Sequence, residues 1–244
     1  MSYLDENWKD MLEKKFPGKN GDEIWKKIRK EILKKFPKTQ YQPEEEEDIF
    51  NVFEMPISKI KVVILGQDPY HTKGKATGYA FAVPPDTDYK LKGRESLIVI
   101  KEEIEKEKEL GLATSSVKNW QTLKHWRDSG VFLLNTALTV EIGKKRSHLG
   151  EWENFTKKVI EYISENHPCI WMLWGGDAKK FKKYICKPKE VSSEKDIEGI
   201  SAEDKKNYIL EAYHPTAYGN KFCNRDHNNF LYANKILGKE KIEW

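Results

Sequence analysis

Lys61-Val62-Val63-Ile64-Leu65-Gly66-Gln67-Asp68-Pro69-Tyr70-His71 joins an apolar run to a dense polar cluster. Four consecutive apolar residues, β-branched ones among them, bounded by Gly66 and Pro69, suit a short strand buried on both faces. Gly66 admits a turn that other residues resist, and Pro69 stiffens it and removes a donor. Gln67, Asp68, Tyr70 and His71 are therefore predicted to stand at the C-terminal end of a buried strand, where open α/β sheets place ligands.

Outward from this stretch the pattern repeats. Val131-Phe132-Leu133-Leu134 runs into Asn135-Thr136, Ile170-Trp171-Met172-Leu173 into Trp174-Gly175-Gly176-Asp177, and Tyr208-Ile209-Leu210 leads to Tyr213-His214-Pro215. Gly78 to Val83 reads as another short β-like run, and Phe50 to Pro56 lead into the first strand. Helical spacing marks Leu97, Ile100 and Ile104, then Trp120, Leu123 and Trp126, then Trp152, Phe155, Val159, Tyr162 and Ile163, and finally residues 229–237. A basic helix and a charged loop, 187–206, follow the third run.

Residues 1–38 read as helical and basic: Ile24, Trp25, Ile28, Ile32, Leu33 and Phe36 recur behind Asp22 as N-cap, and Pro37 ends the helix. The lysines between them read as a solvated face. Four apolar runs alternating with helices predict an α/β fold, a central four-stranded parallel sheet flanked by helices on both faces. No internal repeat interrupts the chain, so one domain over 1–244 is expected, with the region of about 1–38 packed on it. If the strands are parallel, Asp68, Asn135, Gly175 and His214 converge on one edge of the sheet.

Composition narrows the function classes. The 244 residues include 8 Trp, 11 Tyr and 10 Phe, enough for a sizeable core, while 34% charged residues imply a heavily solvated surface. A net charge of +4 permits a nucleic-acid partner without demanding one. Cys169, Cys186 and Cys223 are scattered with no CxxC pair, which points away from a disulfide framework and from a zinc site. With no secretion signal and no long apolar run, an intracellular protein of cytoplasm or nucleus, without membrane attachment, is expected.

The converging set offers one carboxylate, an imidazole, an amide with donor and acceptor, and the aromatic faces of Tyr70 and Phe81. Taken singly, Asp68 is a turn former, Asn135 a helix cap and each histidine a satisfied loop residue. Together at consecutive strand ends they suit one reaction. Glycoside hydrolases pair two carboxylates; here one stands at the strand ends, which fits a leaving group that departs as a stabilised anion. The carboxylate would steady a cationic sugar and orient water, and the imidazole would hold the departing anion. A bidentate amide and an aromatic face are what reading an extruded base requires.

At these residues the chain closely resembles family 1 uracil-DNA glycosylase. The likeness covers Gly66 to His71, Gly78-Tyr79-Ala80-Phe81, Leu133-Leu134-Asn135, Leu173-Trp174-Gly175 and His214-Pro215. Asn7-Trp8-Lys9 and Ile242-Glu243-Trp244 extend it to nearly the whole chain. The resemblance implies a DNA repair enzyme that hydrolyses the N-glycosidic bond of uracil in DNA, single- or double-stranded, with no metal and no cofactor. It gives Asp68 the sugar cation and the water, and His214 the uracil anion. Asn135 would read the uracil edge, Gln67 would supply backbone contacts to the base, Tyr70 would exclude thymine's methyl and Phe81 would stack. Ser96, Gly176, Thr216 and Tyr218 fall at the DNA-binding positions. A monomer is expected.

Several positions depart from the family pattern. Tyr89 to Glu95 replaces a proline-rich loop before Ser96-Leu97, and Gly176 stands where a phosphate-compressing serine is usual, leaving only its backbone N–H. Tyr218 takes the place of the leucine wedge, where its ring can stack on neighbouring bases, and Thr216 still offers a hydroxyl. Asn224, Arg225 and His227 lie in an apparent insertion. Lys90, Lys92, Arg94, Lys221 and Arg225 are expected to replace lost phosphate contacts. A DNA-mimic inhibitor protein, which occupies the wedge and phosphate sites, is expected to inhibit weakly. Three other readings stay open: a DNA-binding accessory protein without catalysis, a glycosylase with altered base preference, and a metal-dependent phosphoesterase built on Asp68, His71 and His214. The last would want a second nearby carboxylate and would lose activity to a chelator.

Overall fold

The structure is a computed structural model that describes residues 2–36, 40–87, 95–201, 204–223 and 228–244; for Ser2, Tyr3, Asp5 and residues 218–220 it describes the backbone alone. Three helices, α1 (Ser2–Asn7), α2 (Lys9–Lys15) and α3 (Gly21–Lys35), precede strand β1 (Tyr41–Gln42). Then come β2 (Val62–Gly66), α4 (Ser96–Glu109), α5 (Lys124–Asp128), β3 (Val131–Asn135), β4 (Val140–Glu141) and α6 (Leu149–Asn166). The chain continues through β5 (Ile170–Trp174), α7 (Gly175–Lys179), β6 (Lys189–Glu190), β7 (Tyr208–Ala212) and α8 (Asn229–Leu237).

The main sheet is parallel, in the order β3-β2-β5-β7-β6, and β1 pairs antiparallel with β4 in a separate ribbon. The four apolar runs are the four long strands. The fifth, β6, is a two-residue edge inside the segment expected to be a charged loop. Both its residues are exposed, so no apolar signal marks it.

Period-two alternation divides the strands between two cores. Val63, Leu65, Phe132, Leu134, Trp171, Leu173 and Ile209 face one layer, which α1, α2, α3 and α6 complete with Trp8, Trp25, Trp152 and Phe155. Val62, Ile64, Val131, Leu133, Ile170, Met172 and Leu210 face the other, closed by Leu97, Ile100, Trp126, Phe230 and Trp244. Each strand side chain removed from water contributes roughly 1.5–3 kcal/mol, so the runs are committed to a doubly covered sheet.

Two local expectations are corrected. The N-cap of α3 is Asn20, not Asp22: the Asn20 side chain accepts from Glu23 N–H and the Glu23 side chain from Asn20 N–H. A capping box needs an acid or amide three residues on, and Asp22 has Trp25 there. Phe50 and its neighbours do lead toward β2, as a 3-10 helix, Glu46–Glu54, whose buried residues Ile49, Phe50, Val52 and Phe53 keep helical spacing. Gly78 to Val83 is not a strand; Phe81 takes φ +66°, which breaks the extended run, although Ala80 N–H still donates to Leu133 C=O at 2.9 Å. Helix α3 ends at Lys35; Pro37 lies outside the described residues. Among the described residues no helix is long and apolar enough to cross a membrane.

Candidate active site

The register explains the convergence. Gly66 is level with Asn135 across β2 and β3, Leu65 with Leu173 across β2 and β5, and Trp174 with Ala212 across β5 and β7. All four long strands therefore end on one line, and the residues just beyond crowd together. Gln67, Asp68, Tyr70, Phe81, Ser96, Asn135, His214 and Thr216 line one cavity of about 510 Å³. Gly176 lines an adjoining depression with Gln67 and His214. Tyr218 begins a short 3-10 helix, Tyr218–Cys223, and its side chain lies outside the described residues, as do Lys90, Lys92, Arg94, Asn224, Arg225 and His227. A larger cavity, about 620 Å³, opens on α3 against Trp25 and Leu33, but its charged groups are lysines, Arg29, Asp22 and Glu46 on a solvated face.

Two glycines let the elements close in. A Cβ on Gly66 would stand 2.3 Å from Asn135 Oδ1, so the amide, 4% exposed, occupies space that only glycine leaves. Gly175 has φ +85°, and a Cβ there would meet His214 Cβ at 2.8 Å. The His214 loop thus lies directly on the end of β5.

Asp68 is held at both oxygens. Gln67 Nε2 donates to Oδ1 at 2.9 Å, and the backbone N–H of Arg146 donates to Oδ2 at 2.6 Å. Burial raises the Asp68 carboxyl above its ordinary range; the Arg146 N–H, the Gln67 amide, His71 and Lys145 pull the other way. Burial, aided by Lys145, holds the His214 imidazole below its usual value, with Asp177 opposing. The Tyr70 hydroxyl, raised by burial, donates to Phe81 C=O at 3.2 Å, tying the two aromatic residues together. Phe81 leans on Trp174, ring centroids 5.5 Å apart.

The sequence reading missed the turn after β4. Lys145 lines the cavity, Arg146 reaches Asp68, and Gly143 N–H donates to His71 C=O at 2.9 Å. The run Lys144-Lys145-Arg146 was the available signal, a basic cluster after a polar strand end. Glu95 also lines the cavity and pairs with Lys75 at 2.8 Å. Among the described residues no group of three or more His, Cys, Asp or Glu could hold a metal ion.

The profile described as the Uracil DNA glycosylase superfamily matches residues 53–237. The chain belongs to this superfamily. Among curated relatives, the uracil-DNA glycosylase of Fusobacterium nucleatum is 34% identical over 100% of this chain and 97% of its own length. That of Oceanobacillus iheyensis is 35% identical over 98% and 93%, and that of Borrelia duttonii 38% identical over 95% and 89%. A substituted mimivirus UNG solved in complex with UGI superposes with a TM-score of 0.73 at 25% identity, covering 98% of this chain and 88% of that one. The cavity at the strand ends therefore lies within the span that the superfamily profile matches.

Proposed function

We propose that this chain hydrolyses the N-glycosidic bond of uracil in DNA, releasing free uracil and leaving an abasic site for base excision repair. The observation that carries the reading is the meeting of Asp68, Asn135 and His214 in one cavity with Tyr70 and Phe81. The C1′–N1 bond breaks with its electron pair leaving on the base. Asp68, as carboxylate, steadies the sugar cation and orients the water that attacks C1′, and a proton of that water passes to the carboxylate. Its ionised form is needed, and its two donors favour that form against burial.

His214 serves best as a neutral donor. Thr216 N–H donates to His214 Nδ1 at 3.2 Å, and the Thr216 hydroxyl lies 2.9 Å from the same nitrogen. A nitrogen that accepts a backbone N–H carries no proton, so the neutral ring bears its proton on Nε2, free to donate to uracil O2. A donor matched to the departing anion stabilises charge as it develops.

Asn135 accepts from uracil N3–H and donates to O4. Cytosine presents the reverse and would leave two buried groups unpaired, a cost of about 1–3 kcal/mol each. Tyr70, anchored on Phe81 C=O, crowds the C5 edge so that thymine's methyl does not fit. Phe81 stacks on the base. Gln67 C=O is occupied by the Thr136 hydroxyl at 2.5 Å and Ala137 N–H at 3.0 Å, so its contact to the base falls to its own N–H. Ser96, Gly176, Thr216 and Tyr218 would engage the DNA strand, which enters single- or double-stranded.

The working unit is proposed as an intracellular monomer of one domain, its N-terminal helices part of one core with the sheet. A DNA-mimic inhibitor is a second proposed partner; the superposable mimivirus UNG was solved with UGI. The weak inhibition expected here is tested by titration, and stoichiometric loss of activity would overturn it.

Cleavage of an oligonucleotide carrying one uracil, with EDTA present, tests the function. Release should survive EDTA and collapse in Asp68→Asn and in Asn135→Ala. DNA binding without release would instead favour the accessory reading, and release of another base an altered preference.

A further inference from the structure

The turn Gly143-Lys144-Lys145-Arg146 grips the Asp68 segment at two points, Gly143 N–H on His71 C=O and Arg146 N–H on Asp68 Oδ2. The second point is unusual in how it is held. Arg146 has φ +66°, a left-handed backbone that non-glycine residues rarely adopt. Its guanidinium forks onto Asp177, with Nη1 to Oδ2 at 3.0 Å and Nη2 to Oδ1 at 3.1 Å. The Asp177 carboxylate is 13% exposed and the Arg146 side chain 55%. Lys180 Nζ reaches the same carboxylate at 2.8 Å. Beyond the opposing pull of Asp177 on His214, no role assigned above uses either side chain.

We propose that Asp177 and Arg146 form a clamp that positions Asp68. The bidentate pair fixes a planar guanidinium in one orientation. That holds the Arg146 backbone left-handed and aims its N–H at one Asp68 oxygen, leaving the remaining lone pairs directed at the cavity. Both are positioning residues; neither touches the substrate. The inference rests on the glycosylase reading and deepens it. Gripping DNA does not account for Asp177, because an anion beside a polyanion's path weakens binding.

The test compares Asp177→Asn, Arg146→Lys, their double variant and Asp177→Glu on a single-stranded uracil oligonucleotide. Loss of aim should lower kcat by roughly ten- to a hundredfold. In Asp177→Asn, KM should not rise. The double variant should be no worse than Arg146→Lys, because both changes break one device, and Asp177→Glu should recover part of the rate.

A second readout needs no substrate: the Asp68 carboxyl titration followed by NMR. The groups that face Asp68 are Gln67, His71, Lys145 and Arg146. Removing the Asp177 charge alone would lower the Asp68 value. Losing the Arg146 N–H raises it, so an upward move in Asp177→Asn has the sign only the clamp gives. An unchanged kcat, a loss confined to KM, or a downward titration shift would overturn the clamp. A natural chain that releases no uracil would overturn the function instead, and the titration would still decide the clamp.

Discussion

Gly66→Ala tests the proposed recognition of the base by Asn135. Gly66 lies in β2 with ordinary strand backbone, so alanine brings no conformational strain, only a methyl group. That methyl would stand 2.3 Å from Asn135 Oδ1 and 2.9 Å from Ala80 Cβ, where ordinary contact begins near 3.4 Å. The amide must retreat by about 1 Å, in a site where displacement of that size costs on the order of a hundredfold in rate. A hundredfold is about 2.7 kcal/mol of transition-state stabilisation. The overpacking itself should cost about 1–3 kcal/mol of stability, which a small Tm shift reports. Single-turnover uracil release from a single-stranded oligonucleotide reads the rate, and circular dichroism confirms the fold. In an Asn135→Ala background the same change should add little, because the displaced group is gone. A folded Gly66→Ala chain with near-natural release would refute the account, since Asn135 could then not be reading the base from where it sits.

Two further outcomes follow from charge. Lys145 holds the His214 value down and opposes the rise of Asp68, so Lys145→Glu should raise both. The proposed reaction needs Asp68 ionised and His214 neutral, so the acid limb of kcat at saturating DNA should move to higher pH; an unmoved limb would sink this electrostatic picture. Glu107, buried beneath α8, caps that helix by accepting from Leu231 N–H at 2.6 Å and Phe230 N–H at 3.4 Å, and burial with neighbouring Glu103 raises it from 4.5 to about 8. A raised folded-state value means stability is present below 4.5 and lost as pH rises through about 8. Glu107→Gln keeps an acceptor and removes the charge, so its Tm should fall less than the natural chain's between pH 7 and 9; parallel Tm curves would refute the assignment.

The four long strands were legible because strands covered on both faces are mostly apolar, Glu211 in β7 being an exception, and Gly66, Asn135 and Gly175 mark three of their ends. Convergence of Asp68, Asn135 and His214 followed from parallel topology alone, since parallel strands of matched length end on one line. Features carried by backbone rather than by residue type were not legible. Phe81 reads as part of a strand, yet its φ of +66° makes it a bend. Strand β6 exists because Lys189 N–H and Asn207 C=O meet at 2.8 Å, a contact that two exposed charged residues do not announce.

Arg146 is the sharpest case. Its contact with Asp68 is made by a main-chain N–H, which every residue but proline possesses, so no residue type could have flagged it. What sequence could show was a basic turn, and the natural meaning of a basic turn near a DNA site is phosphate contact. The structure gives the turn a second meaning by placing Asp177 under the guanidinium, a partner that a phosphate ligand would have to displace. A buried carboxylate that must stay ionised needs donors that cannot drift, because each lost donor raises its value further toward protonation. A backbone amide supplies such a donor only if something outside the turn fixes its direction. In this chain that support comes from the first turn after β5, the same strand whose end carries Gly175 beneath His214. In the proposed reaction one strand end would therefore support both sides, the anion-holding imidazole directly and the cation-steadying carboxylate through Arg146.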